Sequence, residues 1–305
     1  MPSYSSLSSV LSAWTFQPTI TLLLIALAVA YLGGLRDMAR RGKLWGRVQL
    51  RHVALFFTGW VILAVALVSP IDTLDDRNFT MHMVQHLLLL EAAPLFLLLG
   101  KPIDVLLVSV PRPVSRAIAR TRHRTGWLRR LTAFLVQPRF AWPFYVLVML
   151  VWHVPALYQE TLLDPAVHLV EHALFFTSAL LFWWVVVEPL PGPQKLHPGT
   201  RLVFCVTVMM PMGLLAALFT LTDSLWYPVY ARLQPLWGLA PIDDQRLGGI
   251  IMWLAGSAVY IIVASVLFFK MMDGDSDEDR EVEYAYEAPE RPVYAPPEPA
   301  ASASR

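Results

Sequence analysis

Residues 167–189 read VHLVEHALFFTSALLFWWVVVEP. A helix that crosses a bilayer needs roughly 20 mostly apolar residues, and this run supplies them. Inside hydrocarbon every backbone polar group must be satisfied within the fold, so the run reads as a helix and not as an open strand. It also carries His168, Glu171 and His172 close to its start. Polar side chains are costly at such a depth unless they pair, line a cavity or bind something. The stretch therefore predicts an architecture and marks a candidate site.

Working outward, six further runs have the same character, at about 17–35, 52–69, 81–99, 140–157, 202–222 and 247–269. The expectation is an all-α integral membrane protein, a bundle of seven transmembrane helices. Composition agrees: 56% of the 305 residues are hydrophobic and 15% are charged, where soluble domains average about 25% charged. A mean hydropathy of +0.52 excludes an ordinary water-soluble globule. Cys205 is the single cysteine, so a disulfide scaffold is excluded as well.

The loops set the expected orientation. Eighteen bases fall on one side of the membrane, from Arg36 to Arg51, from Lys101 to Arg139, at Lys195, at Arg201 and at Lys270. Arg77, Arg232 and Arg246 alone fall on the other. The positive-inside rule makes the richer side cytoplasmic, with the N-terminus outside and the C-terminus inside. The domain reading is an external segment 1–16, a transmembrane domain 17–272 and a tail 273–305. That tail holds 10 acids and 3 bases with many prolines and is expected to be disordered. The basic residues lie in loops between apolar runs, so the partner they imply is a lipid bilayer and not nucleic acid. Arg116–Arg130 could form a basic surface helix, and an ordinary cytoplasmic loop explains the same charges.

Orientation places the histidines by depth. His82 and His86 fall in the first turns of span three, His153 in the last turns of span four, and His168 and His172 in the first turns of span five. All five lie within about two helical turns of the outer face. His52, His123 and His197 fall toward the other side. His82 and His86 are four residues apart, as are His168 and His172, so each pair shares a helix face. Two such faces turned together offer four imidazoles, with His153 as a fifth. Imidazole suits copper, zinc, iron and nickel. Met209 and Met212 in span six could add thioether ligands, which favour Cu(I), although methionine also fills apolar gaps. Glu171 could orient a histidine from behind. Asp243 and Asp244 could draw a cation toward the site or simply cap span seven. Trp226, Tyr227, Tyr230 and Trp237 read as an interfacial aromatic belt. Glu91 lies near mid-span, nine residues from His82 and on roughly the opposite face.

At this point a resemblance is specific. The run Met83-Val84-Gln85-His86-Leu87-Leu88-Leu89, with Ala93-Pro94-Leu95 and Gly100-Lys101-Pro102, resembles the third-span signature of CtaG-type cytochrome c oxidase assembly proteins. Trp152-His153-Val154-Pro155-Ala156-Leu157-Tyr158 and the segment from His168 to Trp184 resemble the next two motifs. Pro211-Met212-Gly213, Tyr227-Pro228-Val229-Tyr230, Asp243-Asp244-Gln245 and Gly248–Trp253 follow in the family's order. The likeness covers roughly residues 15–270. Glu91 stands where a neutral residue is expected.

The resemblance implies a multi-pass protein of the bacterial plasma (inner) membrane that helps assemble a haem–copper oxidase. It implies a non-enzymatic role in copper delivery, with oxidase subunits as partners and an external copper donor upstream. The residues alone leave other readings open. Zinc satisfies the same imidazoles. Haem b held between His86 and His172 would make an electron carrier. His168-x-x-Glu171-His172 also has the form of an inverted zinc-peptidase motif, with Glu171 as base. A metal-free scaffold for the oxidase is a fourth reading. A transporter is disfavoured because no inverted repeat is visible.

Overall fold

The computed structural model describes residues 12–42, 48–109, 126–189, 196–233 and 238–287, with backbone alone for 274–287. Among them every regular element is helical. Helix α1 (Pro18–Arg40) and α2 (Leu50–Val68) are followed by a short α3 (Pro70–Leu74). Span three is α4 (Phe79–Leu87), a π-helical turn at Leu88–Ala92, and α5 (Ala93–Leu99). Two shorter helices, α6 (Pro102–Ser109) and α7 (Gly126–Leu135), lead to α8 (Pro138–Trp152) and α9 (Pro155–Leu163). Then come α10 (Pro165–Val187), α11 (Pro198–Leu221), a 3₁₀ turn (Pro228–Arg232), α12 (Pro241–Ile251), a π-helical turn (Met252–Gly256) and α13 (Ser257–Glu287).

Proline opens α1, α3, α8, α9, α10, α11 and α12. Its fixed φ suits the first helical turn, where its missing N–H leaves no bond unmade. The same chemistry breaks span four. Pro155 forces Val154 into extended backbone (ψ 127°), and α8 and α9 meet at a 71° bend where one straight span over 140–157 is expected. Among the described residues six helices are long and apolar enough to cross a membrane, or seven if the bent pair counts as one span. By contrast α11 runs unbroken through Pro211. The last helix extends to Glu287, through the first part of the segment read as a disordered tail. Extending an existing helix is far easier than nucleating one. Residues 288–305, Trp237, His123 and the basic stretch 110–125 lie outside the described residues.

The bundle is apolar on both its inner and its outer surface. Leu22, Leu23, Leu147, Val203, Leu214, Leu221, Ile262 and Phe269 are all exposed, the face a lipid-solvated helix presents. Inside, α2 packs on α5, α1 on α6, α8 on α10, and α11 on both α12 and α13. Helix α12 also packs on α4. Glycine makes that approach possible: a Cβ at Gly248 would sit 2.5 Å from Phe79 Cδ1. One apolar core surrounds Phe175, Phe182, Trp183, Tyr145 and Tyr260. A smaller one at the histidine end gathers Phe79, Met83, Met149, Tyr158, Phe219, Tyr227 and Tyr230.

Candidate metal centre

Helices α4 and α10 carry the two histidine pairs and turn them toward each other. Within a helix the ring centroids are 4.3 Å apart for His82 and His86 and 4.1 Å for His168 and His172. Across the helices they are 5.4 Å for His82 and His168 and 6.2 Å for His86 and His172. Glu171 lies between the pairs, fully buried. Its Oε1 is 3.6 Å from His86 Nε2, and its Oε2 is 3.7 Å from His82 Nε2 and 4.0 Å from His168 Nε2. These separations are too long for hydrogen bonds.

The consequence is a buried group of polar atoms with no partner. Both nitrogens of His82 and of His86, both oxygens of Glu171, and Nε2 of His153, His168 and His172 have none. Buried polar atoms in folded proteins are nearly always paired, and leaving one unpaired costs about 1–3 kcal/mol. Among the described residues there are three sets of potential ligand atoms, each within 4.8 Å of one another: His82–His168–Glu171, His86–Glu171–His172 and Asp75–His168–His172. One cation could satisfy a whole set at once.

His153 borders this cluster without belonging to a set. Its ring is 5.7 Å from that of His86. Its Nδ1 lies 2.7 Å from the Met149 carbonyl, which can only accept, so Nδ1 carries the proton and Nε2 keeps a free lone pair. The bend at Pro155 ends α8 at this residue. The His153 carbonyl is freed to accept from Tyr227 Oη at 2.8 Å.

Asp75 is the participant that sequence reasoning missed. It follows α3 and is wholly buried. Its Oδ1 accepts from the Asp76 N–H at 2.6 Å, while Oδ2 stands unpartnered 3.5 Å from His168 Nε2. Burial pushes this carboxyl well above its usual range, and neighbouring Asp76, Asp72 and Glu171 push the same way. Loop residues carry no helical periodicity, so no spacing pointed to it. A cleft of about 290 Å³, lined in part by Asp72, Asp76, Thr161, His168 and His172, reaches this edge of the cluster.

The expected aromatic belt and the expected cap of span seven need correction. Tyr227 and Tyr230 form no exposed belt: both are buried. Tyr227 stacks on Tyr158 at 3.9 Å between centroids, and Tyr230 pairs with Tyr158 through their hydroxyls at 2.9 Å. They roof the site because their rings pack on Phe79 and Tyr158. Asp244 does not cap its own helix. It accepts from Asn78 Nδ2, Phe79 N and Thr80 N at the start of α4. Asp243 is half exposed and lies 3.7 Å from Arg246. Met209 packs against the Phe182–Trp183 core, and Met212 bridges that core and the Phe79–Tyr158 one. Glu91 sits in the first π-helical turn and faces span seven. A Cβ at Gly256 would lie 2.9 Å from its Oε1. It is apart from all three ligand sets.

Fold and site together define a multi-pass helical membrane protein with a histidine- and carboxylate-rich core. The chain belongs to the cytochrome c oxidase caa3 assembly factor family (Caa3_CtaG), whose model matches residues 29–273. It is 27% identical over 304 residues to uncharacterized proteins of Mycobacterium bovis and Mycobacterium tuberculosis, covering 96% of this chain and 45% of each relative. An uncharacterized protein of Mycobacterium leprae is 26% identical over 283 residues, covering 90% of this chain and 42% of that one. The chain thus spans less than half the length of the curated relatives it matches. No solved structure matches it.

Proposed function

We propose that this protein serves oxidase assembly in a bacterial plasma membrane by holding a copper ion among His82, His86, His168, His172 and Glu171 and passing it to an oxidase subunit. The observation that carries the reading is the set of unpartnered, buried imidazole nitrogens and carboxylate oxygens converging within 4.8 Å. A protein does not hold so many unsatisfied polar atoms in an apolar bundle unless something satisfies them. The excess of bases on the opposite side supports an outer position for this end of the bundle, where a copper donor and the copper-receiving oxidase domains would be accessible without crossing the membrane.

The arrangement suits a small ion better than haem. Glu171 fills the space between His86 and His172, and a porphyrin would have to open a flat slot there. Zinc would satisfy the same ligands, so the experiment must identify the metal. Protein purified from copper-supplied cells should contain about one copper per chain by mass spectrometry of the metal. His86→Ala with His172→Ala should abolish it while the protein still accumulates. Purified protein without metal, or a double variant that supports wild-type oxidase activity, would overturn the reading and leave a metal-free scaffold.

A further inference from the structure

We propose that the acidic cleft is the path by which the ion arrives, and that Asp75, His168 and His172 form a receiving station from which it passes to the buried station His86–Glu171–His172. The proposal rests on the metal reading above and adds a direction and an order of ligands to it.

The cleft is lined by Asp72, Asp76, His168 and His172, and by none of Asp75, His82, His86 or Glu171; Asp75 stands one layer behind it, with Oδ2 3.5 Å from His168 Nε2. An ion entering it meets the α10 histidines first. Asp76 is exposed at its lip, and a carboxylate at the mouth of a low-dielectric cleft raises the local cation concentration. Behind the lip, Asp75 is pinned by the Asp76 N–H, and the Tyr230 hydroxyl holds its carbonyl at 3.2 Å. One carboxylate oxygen remains free toward His168. The His168 side chain is 15% exposed, whereas all three residues of the inner station are buried.

His172 belongs to both stations, so the two compete for one imidazole. That geometry fits one ion handed inward better than two ions held together. The exchange is balanced: the ion keeps His172, releases the Asp75 oxygen and the His168 nitrogen, and takes the Glu171 oxygen and the His86 nitrogen. A carboxylate replaces a carboxylate and an imidazole an imidazole, so the ion's oxidation state is unchanged and no redox partner is needed; the proton that Asp75 gives up to solvent on binding the ion is taken back when the ion moves inward. Glu171 Oε2, 4.0 Å from His168 Nε2, bridges the two positions. Burial of the inner station then makes release slower than capture.

The test is the rate at which metal-free, full-length protein in detergent takes up Cu²⁺, followed by stopped-flow absorbance, with final occupancy measured separately. Asp75→Asn should slow loading by about tenfold, the lower end of what electrostatic focusing provides. Asp76→Asn, at an exposed position and with the backbone N–H that holds Asp75 retained, should slow it less while full occupancy is still reached. His86→Ala should instead lower the occupancy. Wild-type loading rates in both aspartate variants would overturn the route. The rate of Asp76→Asn alone decides if Asp75→Asn fails to accumulate. Two copper ions bound together per chain would overturn the shared-ligand handover. A wild-type protein that binds no copper would instead remove the metal reading itself.

Discussion

Asp244 and Glu171 are both carboxylates buried at the histidine end of the bundle, 5% and 0% exposed. They differ in what surrounds them. Asp244 receives Asn78 Nδ2 at 2.8 Å, Phe79 N at 2.7 Å and Thr80 N at 3.2 Å, and its carbonyl takes the Thr80 hydroxyl at 3.0 Å. It neutralises the N–H groups at the start of α4, where a helix concentrates unpaired donors. Glu171 receives no hydrogen bond and faces three imidazole nitrogens at 3.6–4.0 Å. The first acid finds its hydrogen bonds within the fold, and the second finds none there. Burial without hydrogen bonds does not by itself mark a site, because Glu91 is also buried with an unpartnered Oε1. What sets Glu171 apart is that its bare oxygens converge with imidazole nitrogens.

The largest expected effect follows from Asp244. Replacing it with alanine strands two backbone donors and an amide in a buried site, at about 1–3 kcal/mol for each. Asp244→Ala should therefore reduce the amount of protein in the membrane severalfold by immunoblot, while Asp244→Asn keeps an acceptor and should be milder. An alanine variant that accumulates normally but binds no metal would exchange the roles given to the two acids.

The next effect is on metal and not on folding. His86→Ala and His172→Ala each remove a ring whose Nε2 makes no hydrogen bond. If these rings tied helices together, each loss would weaken the bundle by about 0.6 kcal/mol and leave metal content nearly unchanged. The expected outcome is the reverse: normal accumulation, a melting temperature close to wild type in the metal-free state, and near-complete loss of bound copper. Unfolding of the double variant, with no loss of copper from either single one, would place these histidines with Asp244.

How much of this was legible in the sequence divides along the same line. Apolar runs of bilayer length gave the spans directly, because length and hydropathy are local properties. The bend in span four has a local cause in Pro155, but the apolar run over 140–157 masked it, because hydropathy does not register a break in the helix. Spacing of four residues marked the two histidine pairs, because it repeats the helix period. What was not legible depends on distant contacts. Nothing near Asp244 says that its partners lie at residues 78–80, and nothing near Asp75 says that His168 stands opposite. His52 and His197 show the limit of composition. Each is a histidine near a helix start, and each accepts a backbone N–H there, from Gln49 at 2.9 Å and from Gly199 at 3.1 Å.

Glu171→Gln sharpens the comparison at smaller amplitude. The amide keeps the shape and one acceptor but removes the charge that faces His82, His86 and His168. Because Glu171 is proposed as a ligand and its amide is a weak donor, copper affinity should fall by at least the roughly 10–100-fold that losing a merely supporting carboxylate costs. A loss as complete as that of the double histidine variant would make Glu171 an obligatory ligand. Unchanged affinity would leave it as packing. Oxidase assembly that survives the substitution would exclude a hydrolase that uses Glu171 as its base.

The smallest effect belongs to Asp243, one residue from Asp244 and of the same chemistry. Its carboxylate lies 3.7 Å from Arg246, and that guanidinium has a closer partner in Asp223 at 2.6 Å. The Asp243 and Arg246 side chains are 55% and 36% exposed, so solvent screens the pair and its contribution to stability is below about 1 kcal/mol. Asp243 belongs to none of the three ligand sets, and it does not line the cleft that reaches His168. Asp243→Asn should therefore leave accumulation, copper affinity and loading rate within error of wild type. That result would show that a negative charge near the histidine end is not enough, and that position beside His168 is what counts. A clear fall in loading rate would mean that the general field of the outer loops draws the ion in. Asp75 and Asp76 would then lose their special standing, and the contrast between bonded and bare acids would no longer locate the path.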